Sequence, residues 1–105
     1  MILIIPSECQ IGAHKFSIRW SSKIMDVMGA RGGIEYLEKH IIRLQTGRPA
    51  SATFQTLIHE AIHSVGVLYN PDLKEEDIWT ISAVLCQFLM SLGIEPDFSQ
   101  ITEEN

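Results

Sequence analysis

The spacing of apolar residues along the chain changes at Gly47-Arg48-Pro49, and this change limits the folds that the chain can adopt. Upstream, apolar and polar residues alternate from His14 to Trp20, as in a strand with one buried face. Downstream, apolar residues recur at spacings of three and four from Phe54 to Leu68, as in an amphipathic helix. The order of the two patterns predicts an α+β fold in which a small N-terminal β-sheet precedes the helices.

The first part of the chain has four strand-like segments. They are residues 2–5, 14–20, 34–37 and 40–45. We expect an antiparallel sheet of three or four strands, in which the last two segments form a hairpin. Residues 21–28 are expected to form a helical turn or a loop, followed by a glycine-rich break at residues 29–33.

The second part of the chain predicts two helices in a single domain of 105 residues. The first helix has Ser51 available as its N-cap and ends before Asn70-Pro71-Asp72. The second runs from about Leu73 to Leu92, and its expected buried stripe consists of Ile78, Ile81, Leu85, Phe88, Leu89 and Leu92. The tail from about residue 94 to residue 105 is polar and acidic, and the sequence predicts no structure for it.

Charge is unevenly distributed along the chain. Residues 1–50 have seven Lys or Arg against four Asp or Glu, whereas residues 51–105 have one against nine. The basic residues are dispersed among acids and the chain as a whole is acidic, which argues against a nucleic-acid partner. No apolar run approaches the roughly 18–20 residues that a membrane span needs, and the first residues lack the basic start of a signal peptide. We therefore expect a cytoplasmic protein without a membrane partner.

Residues 59–63 read His-Glu-Ala-Ile-His, the pattern HExxH, inside the first predicted helix. Because residues four apart lie on one side of a helix, His59 and His63 are expected to bind one zinc ion together. Glu60 is the expected general base, since it lies beside the pair without being a ligand. The histidines lie away from the apolar stripe and should face solvent or the second helix. The alternative interpretation is two surface histidines with an unrelated glutamate between them.

A third zinc ligand is expected at the acidic start of the second helix, because catalytic zinc sites commonly have three protein ligands. A short turn would bring this segment back to the histidines. Glu75 lies on the inward side of the helix and is the preferred ligand, Asp77 is the alternative, and Glu76 should face solvent. The same acids also suit the first turn of any helix, where Asp72 and Glu75 resemble a capping box.

Three other side chains were considered as members of the site. His14 and His40 are in predicted strands, and we expect both to be ordinary strand side chains rather than ligands. Tyr69 follows the first helix and is a candidate for holding an oxyanion, although a tyrosine before a turn more often serves packing.

The chain resembles the small HExxH proteins of phages and mobile elements, which are similar to the zinc-peptidase-like domain of the ImmA/IrrE family. The resemblance includes the HExxH motif and residues 33–44, 56–60, 73–78 and 81–85. It implies a zincin-like fold, a zinc ion held by His59 and His63, a third ligand at Glu75 or Asp77, and Glu60 as the catalytic carboxylate. It also implies a peptide or protein substrate and, for a phage-encoded chain, the cytoplasm of the host cell.

Together these features predict a zinc-dependent metallopeptidase or peptidase-like hydrolase, in which Glu60 activates a zinc-bound water for attack on a peptide carbonyl. The alternative function is a non-catalytic interaction module, of phage or mobile-element origin, that zinc stabilises. A third interpretation is a metal-free interaction protein in which the motif is accidental and Met and Trp side chains form the contact surface.

Overall fold

The computed structural model describes residues 1–21, 33–36 and 40–104. Its strands are β1 (Ile2–Ile4), β2 (Glu8–Ile11), β3 (His14–Ser21), β4 (Gly33–Tyr36), β5 (Ile41–Gln45), β6 (Glu95–Asp97) and β7 (Thr102–Glu103). Its helices are α1 (Ala50–Tyr69) and α2 (Glu75–Ser91). The predicted α+β class, with a small sheet followed by two helices, is confirmed. Neither helix has the combination of length and apolar character needed to cross a membrane, among the residues described.

The main sheet has the strand order β2-β3-β5-β4, and β7 also pairs with β3. β2 runs antiparallel to β3, and β4 runs antiparallel to β5 as the predicted hairpin does. β3 and β5, however, are parallel, with Ile18 opposite Ile42, so the sheet is mixed rather than wholly antiparallel. A parallel pair needs a crossover of about a dozen or more residues, which residues 22–40 supply. The helical turn or loop predicted at residues 21–28 lies, beyond Ser21, outside the described residues, as does the predicted glycine-rich break up to residue 32.

The core lies between the inner face of the main sheet and α1. Phe16 and Ile18 on β3, and Ile42 and Leu44 on β5, are each at most 1% exposed. These side chains share one face because they alternate along their strands. Phe54 of α1 packs against them and is 4% exposed. Burial of a side chain of this size stabilises the fold by about 1.5–3 kcal/mol, and it fixes α1 across the sheet.

The C-terminal tail contains two short strands, although the sequence predicted no structure for it. β6 pairs in parallel with β1, and β7 pairs in parallel with β3. Ile101 is 5% exposed, and the rings of Phe98 and Trp20 have centroids 5.9 Å apart. Glu104 forms an ion pair with Arg43 of β5. Phe98 and Ile101 are isolated apolar residues in a polar segment, so the composition of the tail did not predict them as core residues. Their contacts hold the tail against the sheet.

Neither helix begins with the side-chain cap that the sequence suggested. Pro49, not Ser51, is at the N-cap of α1 and has a φ of −57°, while the Thr53 N–H donates to its carbonyl oxygen (3.0 Å). Lys74 is at the N-cap of α2 without a side-chain cap, so Asp72 and Glu75 do not form a capping box. Proline has no N–H to donate to a preceding turn and disfavours the α conformation at the residue before it, so α1 does not extend upstream of Pro49.

The face of α2 that packs on α1 differs from the predicted stripe. Ile78, Ser82 and Cys86 are buried, with 2%, 0% and 3% exposure, and follow one another at intervals of four. Of the predicted stripe, four residues are between 38% and 62% exposed: Ile81, Leu85, Phe88 and Leu92. The prediction was therefore wrong for most of this face. Small side chains at 82 and 86 allow close approach of the helices, and the Ser82 hydroxyl donates to the Ile78 carbonyl oxygen (2.8 Å).

The turn between β2 and β3 is joined to the end of α1 by Tyr69. The Ala13 N–H donates to the Tyr69 hydroxyl oxygen (2.9 Å). The tyrosine ring lies against Gly12, where a Cβ atom would overlap it, and Gly12 has a φ of +59° that favours glycine. Tyr69 therefore has a structural contact in this fold, and its hydroxyl is engaged by the backbone of the turn.

Candidate metal centre

His59 and His63 lie one turn apart on α1, and both rings point toward α2. His59 is 2% exposed, whereas the side chain of His63 is 37% exposed. Four residues correspond to slightly more than one helical turn, so the two imidazoles lie on the same side of α1. Of the two orientations that the sequence left open, solvent or the second helix, the rings face the second helix.

Residues 70–74 form the turn that folds α2 back along α1. The Asn70 N–H donates to the Gly66 carbonyl oxygen (2.9 Å), and the Leu73 N–H donates to the Asn70 carbonyl oxygen (3.1 Å). The Leu73 side chain packs over Gly66, where α1 has no side chain of its own. As a result, Glu75, the first residue of α2, lies opposite the second half of α1.

Glu75 contacts both histidines of the motif. Its Oε1 lies 2.9 Å from His59 Nε2, and its Oε2 lies 3.7 Å from His63 Nε2. The Glu75 side chain is 34% exposed, so one edge of the cluster is open to solvent. Asp77, the alternative third ligand, is exposed, as is Glu76. Among these three acids, Glu75 is therefore the one that the fold brings to the histidines.

Glu60 is buried beside the histidines and is 4% exposed. Successive residues in a helix are separated by about 100°, so the Glu60 side chain leaves α1 in a direction different from that of His59. The hydroxyl of the buried Ser64 donates to the Glu60 main-chain carbonyl oxygen (2.9 Å). Burial of a carboxylate is costly unless polar groups surround it. The buried Glu60 therefore differs from a glutamate on a solvated helix face, whose carboxylate is hydrated by water.

Trp79 lies against His59 on the side next to Glu75. The ring centroids of Trp79 and His59 are 4.5 Å apart, and the ring planes meet at 50°. Trp79 follows Glu75 by four residues, so α2 presents a carboxylate and an indole to the same imidazole. The sequence pattern favoured packing or a contact surface for Trp79 and did not predict its contact with His59. The sequence feature that could have indicated this contact is the spacing of four residues, about one helical turn, between Glu75 and Trp79.

The donor types of this cluster match those of zinc sites, in which two imidazoles and one carboxylate are a common ligand set. Zinc–ligand bonds of about 2.0–2.1 Å in a tetrahedral site separate two donor atoms by about 3.3 Å. The two contacts of Glu75, at 2.9 Å and 3.7 Å, lie on either side of this value. The side chains of His59, His63 and Glu75 therefore match a zinc site in donor type.

The cluster is nevertheless not arranged as a metal site. Within the described part of the chain, no group of three or more His, Cys, Asp or Glu side chains could hold a metal ion.

The remaining two histidines lie against each other. The ring centroids of His14 and His40 are 4.9 Å apart, and His40 also packs on Phe16, with centroids 5.0 Å apart. His40 has a φ of 49° at the residue that precedes β5. These contacts give both side chains packing roles at the start of β3 and β5.

Comparisons of the chain with models of protein families, with characterised proteins and with solved structures gave no match. The resemblance to the HExxH proteins therefore depends on the motif and its flanking segments alone.

Proposed function

We propose that the chain binds zinc through His59, His63 and Glu75 and is a peptidase-like hydrolase with Glu60 as its general base. The observation that carries the proposal is the contact of one carboxylate with two imidazoles from successive turns of a neighbouring helix. Glu75 is twelve residues beyond His63 in the sequence. Local helix geometry accounts for the pair of histidines, but the third donor reaches them only through the tertiary fold.

The exposure of the side chains supports a site with one closed side and one open side. His59 and Glu60 are buried, whereas the His63 and Glu75 side chains are 37% and 34% exposed. A low-dielectric surrounding strengthens electrostatic interactions with a reacting group. The open side lies along His63 and Glu75, where an extended peptide would reach the cluster.

The residues have separate roles in this proposal. His59, His63 and Glu75 would hold the ion, which would supply a Lewis acid for the scissile carbonyl. Glu60 accepts a proton from the attacking water and returns it to the leaving amine. Hydrolysis of a peptide bond in this way consumes one water and yields one carboxylate and one amine.

The test combines metal content with hydrolysis. Untagged protein should contain about one zinc ion per chain by elemental analysis and should cleave an unfolded protein such as casein. Glu60→Gln keeps the size of the side chain, so it should retain zinc and lose activity by about 100-fold or more. Glu76→Gln, at an exposed position of α2, is the matched control and should behave like the unaltered chain. Absence of zinc, or full hydrolysis by Glu60→Gln, would contradict the proposal.

A second candidate function is a non-catalytic module that zinc stabilises. The burial of His59 and Glu60, at 2% and 4% exposure, favours it, because a structural metal needs no access for substrate. In this case zinc would be present, a chelator would lower the melting temperature, and the unaltered chain would hydrolyse nothing. Hydrolysis that depends on Glu60 distinguishes the catalytic function from this one.

A further inference from the structure

The outer side of α2 has a continuous row of exposed apolar side chains, called here the outer stripe. Its five large apolar residues are each between 38% and 62% exposed: Ile81, Val84, Leu85, Phe88 and Leu92. Their spacing of three and four residues places them within an arc of about 100° on the helix. The buried Ser82 and Cys86 lie on another side of α2, where the Cys86 thiol meets the Ser51 carbonyl oxygen of α1. Within the described part of the fold, the outer stripe therefore faces solvent.

The area of the outer stripe is sufficient for a protein–protein contact. At these exposures the five residues present about 500 Å² of surface per chain, and contiguous apolar patches of several hundred Å² often mark interaction sites. Two copies of the stripe placed against each other would remove about 1,000 Å² from water, which reaches the lower limit for a specific interface. A second copy of the chain can thus cover the stripe.

The charges near the outer stripe favour a second copy in the antiparallel orientation. Residues 78–94 contain no charged side chain, so two chains of net charge −5 can meet along this stretch without bringing like charges together. The exposed acids Glu76 and Asp77 lie in the first turn of α2. A parallel pair would place these acids side by side, where like charges repel. An antiparallel pair places them at opposite ends of the contact, about 25–30 Å apart at 1.5 Å per residue.

We infer that the outer stripe is a self-association surface, on which α2 packs antiparallel against α2 of a second copy of the chain. A twofold axis between positions 85 and 88 places Phe88 against the partner's Leu85 and Ile81 against the partner's Leu92. The apolar spacing that predicted burial within one chain is then satisfied between two chains. The inference does not depend on zinc, because Glu75 lies on the side of α2 that meets α1.

The first experiment is sedimentation equilibrium of the full chain without added metal, from micromolar to several hundred micromolar protein. The mass should rise with concentration from 11.8 kDa toward twice that value. Val84→Glu and Phe88→Glu place a charge in the outer stripe and should keep the protein monomeric. Both residues are exposed, so both variants should fold, which circular dichroism checks.

Val67→Glu is the matched control, because Val67 is 48% exposed and lies on α1. It should associate as the unaltered chain does. An unaltered chain that is monomeric at every concentration would overturn the inference and assign the outer stripe to a different partner. Association of Val84→Glu and Phe88→Glu equal to that of the unaltered chain would also overturn it.

Cysteine cross-linking tests the orientation of the two helices, in a Cys9→Ser background that leaves only the buried Cys86. With dissolved oxygen as oxidant, an equal mixture of Ile81→Cys and Leu92→Cys chains should give a disulfide-linked dimer that neither variant gives alone. The reason is that a disulfide needs Cα atoms within about 7 Å, and the antiparallel pair brings only the unlike positions together. Efficient cross-linking of Ile81→Cys with itself would show a parallel pair and overturn the antiparallel arrangement.

Discussion

The Glu75 carboxylate lies 2.9 Å from Nε2 of His59, a residue of the neighbouring helix. This contact joins the first turn of α2 to the middle of α1. Trp79, one turn further along α2, packs on the same imidazole. The packing of the two helices and the geometry of the cluster are therefore coupled. A change that separates the helices also removes the third donor from the histidines.

Replacement of Glu75 should separate its role from that of the other acids in α2. Glu75→Gln keeps the size and removes the charge, and zinc affinity should fall by about 100-fold or more because the proposed third ligand is lost. Asp77→Asn, at an exposed position two residues later, should leave the affinity unchanged. Isothermal titration with zinc measures both. A greater loss in Asp77→Asn than in Glu75→Gln would assign the third ligand to Asp77.

The fit of Tyr69 against Gly12 predicts a large cost for any side chain at Gly12. Gly12→Ala should destabilise the fold by about 2–4 kcal/mol, because a φ of +59° disfavours other residues and the new methyl group overlaps the tyrosine ring. Denaturant unfolding measures this cost. In a Tyr69→Ala background the overlap disappears, and the same substitution should cost only about 1–2 kcal/mol.

Gly47 provides the control for that experiment. It has a φ of +82°, and no atom would lie near an added Cβ, so Gly47→Ala should show the conformational cost alone. Equal destabilisation by Gly12→Ala and Gly47→Ala would show that the tyrosine contact contributes nothing.

The packing of the C-terminal tail predicts a core-like response at Ile101. Ile101→Ala should destabilise the chain by about 2–4 kcal/mol, since the side chain is 5% exposed and belongs to the core cluster. The neighbouring Thr102 is exposed, and Thr102→Ala should change stability by less than about 0.5 kcal/mol. Thermal unfolding followed by circular dichroism distinguishes the two. Similar melting temperatures for both variants would exclude a packed tail.

Asp97 should make stability depend on pH in the acid range. The Ser99 backbone N–H donates to Asp97 Oδ1 (2.8 Å), and this hydrogen bond lowers the pKa of the Asp97 carboxyl below its ordinary value of 3.8. A lowered pKa in the folded state means stability that is present above pH 3.8 and is lost as the pH falls through the folded pKa.

The measurement is urea unfolding of the parent and Asp97→Asn between pH 2 and 6. The parent should be more stable at the upper end, and the difference should vanish at the lower end, where the carboxyl is protonated. Glu76→Gln, at an exposed position, is the control. A difference between parent and Asp97→Asn that is constant over the range would contradict the role of the hydrogen bond.

The sequence contained enough information to predict the core strands and the approach of Glu75 to the histidines. The alternation of Phe16 and Ile18 with polar residues predicted one buried face of β3. The prediction that Glu75 lies on the inward side of α2 was also correct. The face of α2 was mispredicted because hydrophobicity does not specify which side has a neighbour. Ser82 is buried where a close helix contact needs a small residue, although a hydropathy pattern treats serine as a surface residue.

Other features depend on partners that are remote in the chain. The parallel pairing of β3 with β5 depends on the long crossover, and no local pattern specifies its direction. Ile101 is a single apolar residue in a polar segment, and its burial depends on space left by the sheet. Trp79 meets His59 only once the two helices have packed, so the motif could be found from the sequence but its aromatic neighbour could not.

Apart from Leu73, which packs over Gly66, the connection between the two helices at residues 70–74 should tolerate changes in composition but not in length. One inserted or deleted residue would shift the register of α2 by about 1.5 Å and rotate it by about 100°. Either Glu75 would then leave the imidazoles or Ile78 would leave its place between the helices. Homologues that keep this chemistry should therefore conserve the number of residues from His63 to Glu75 more strictly than the identities of those residues.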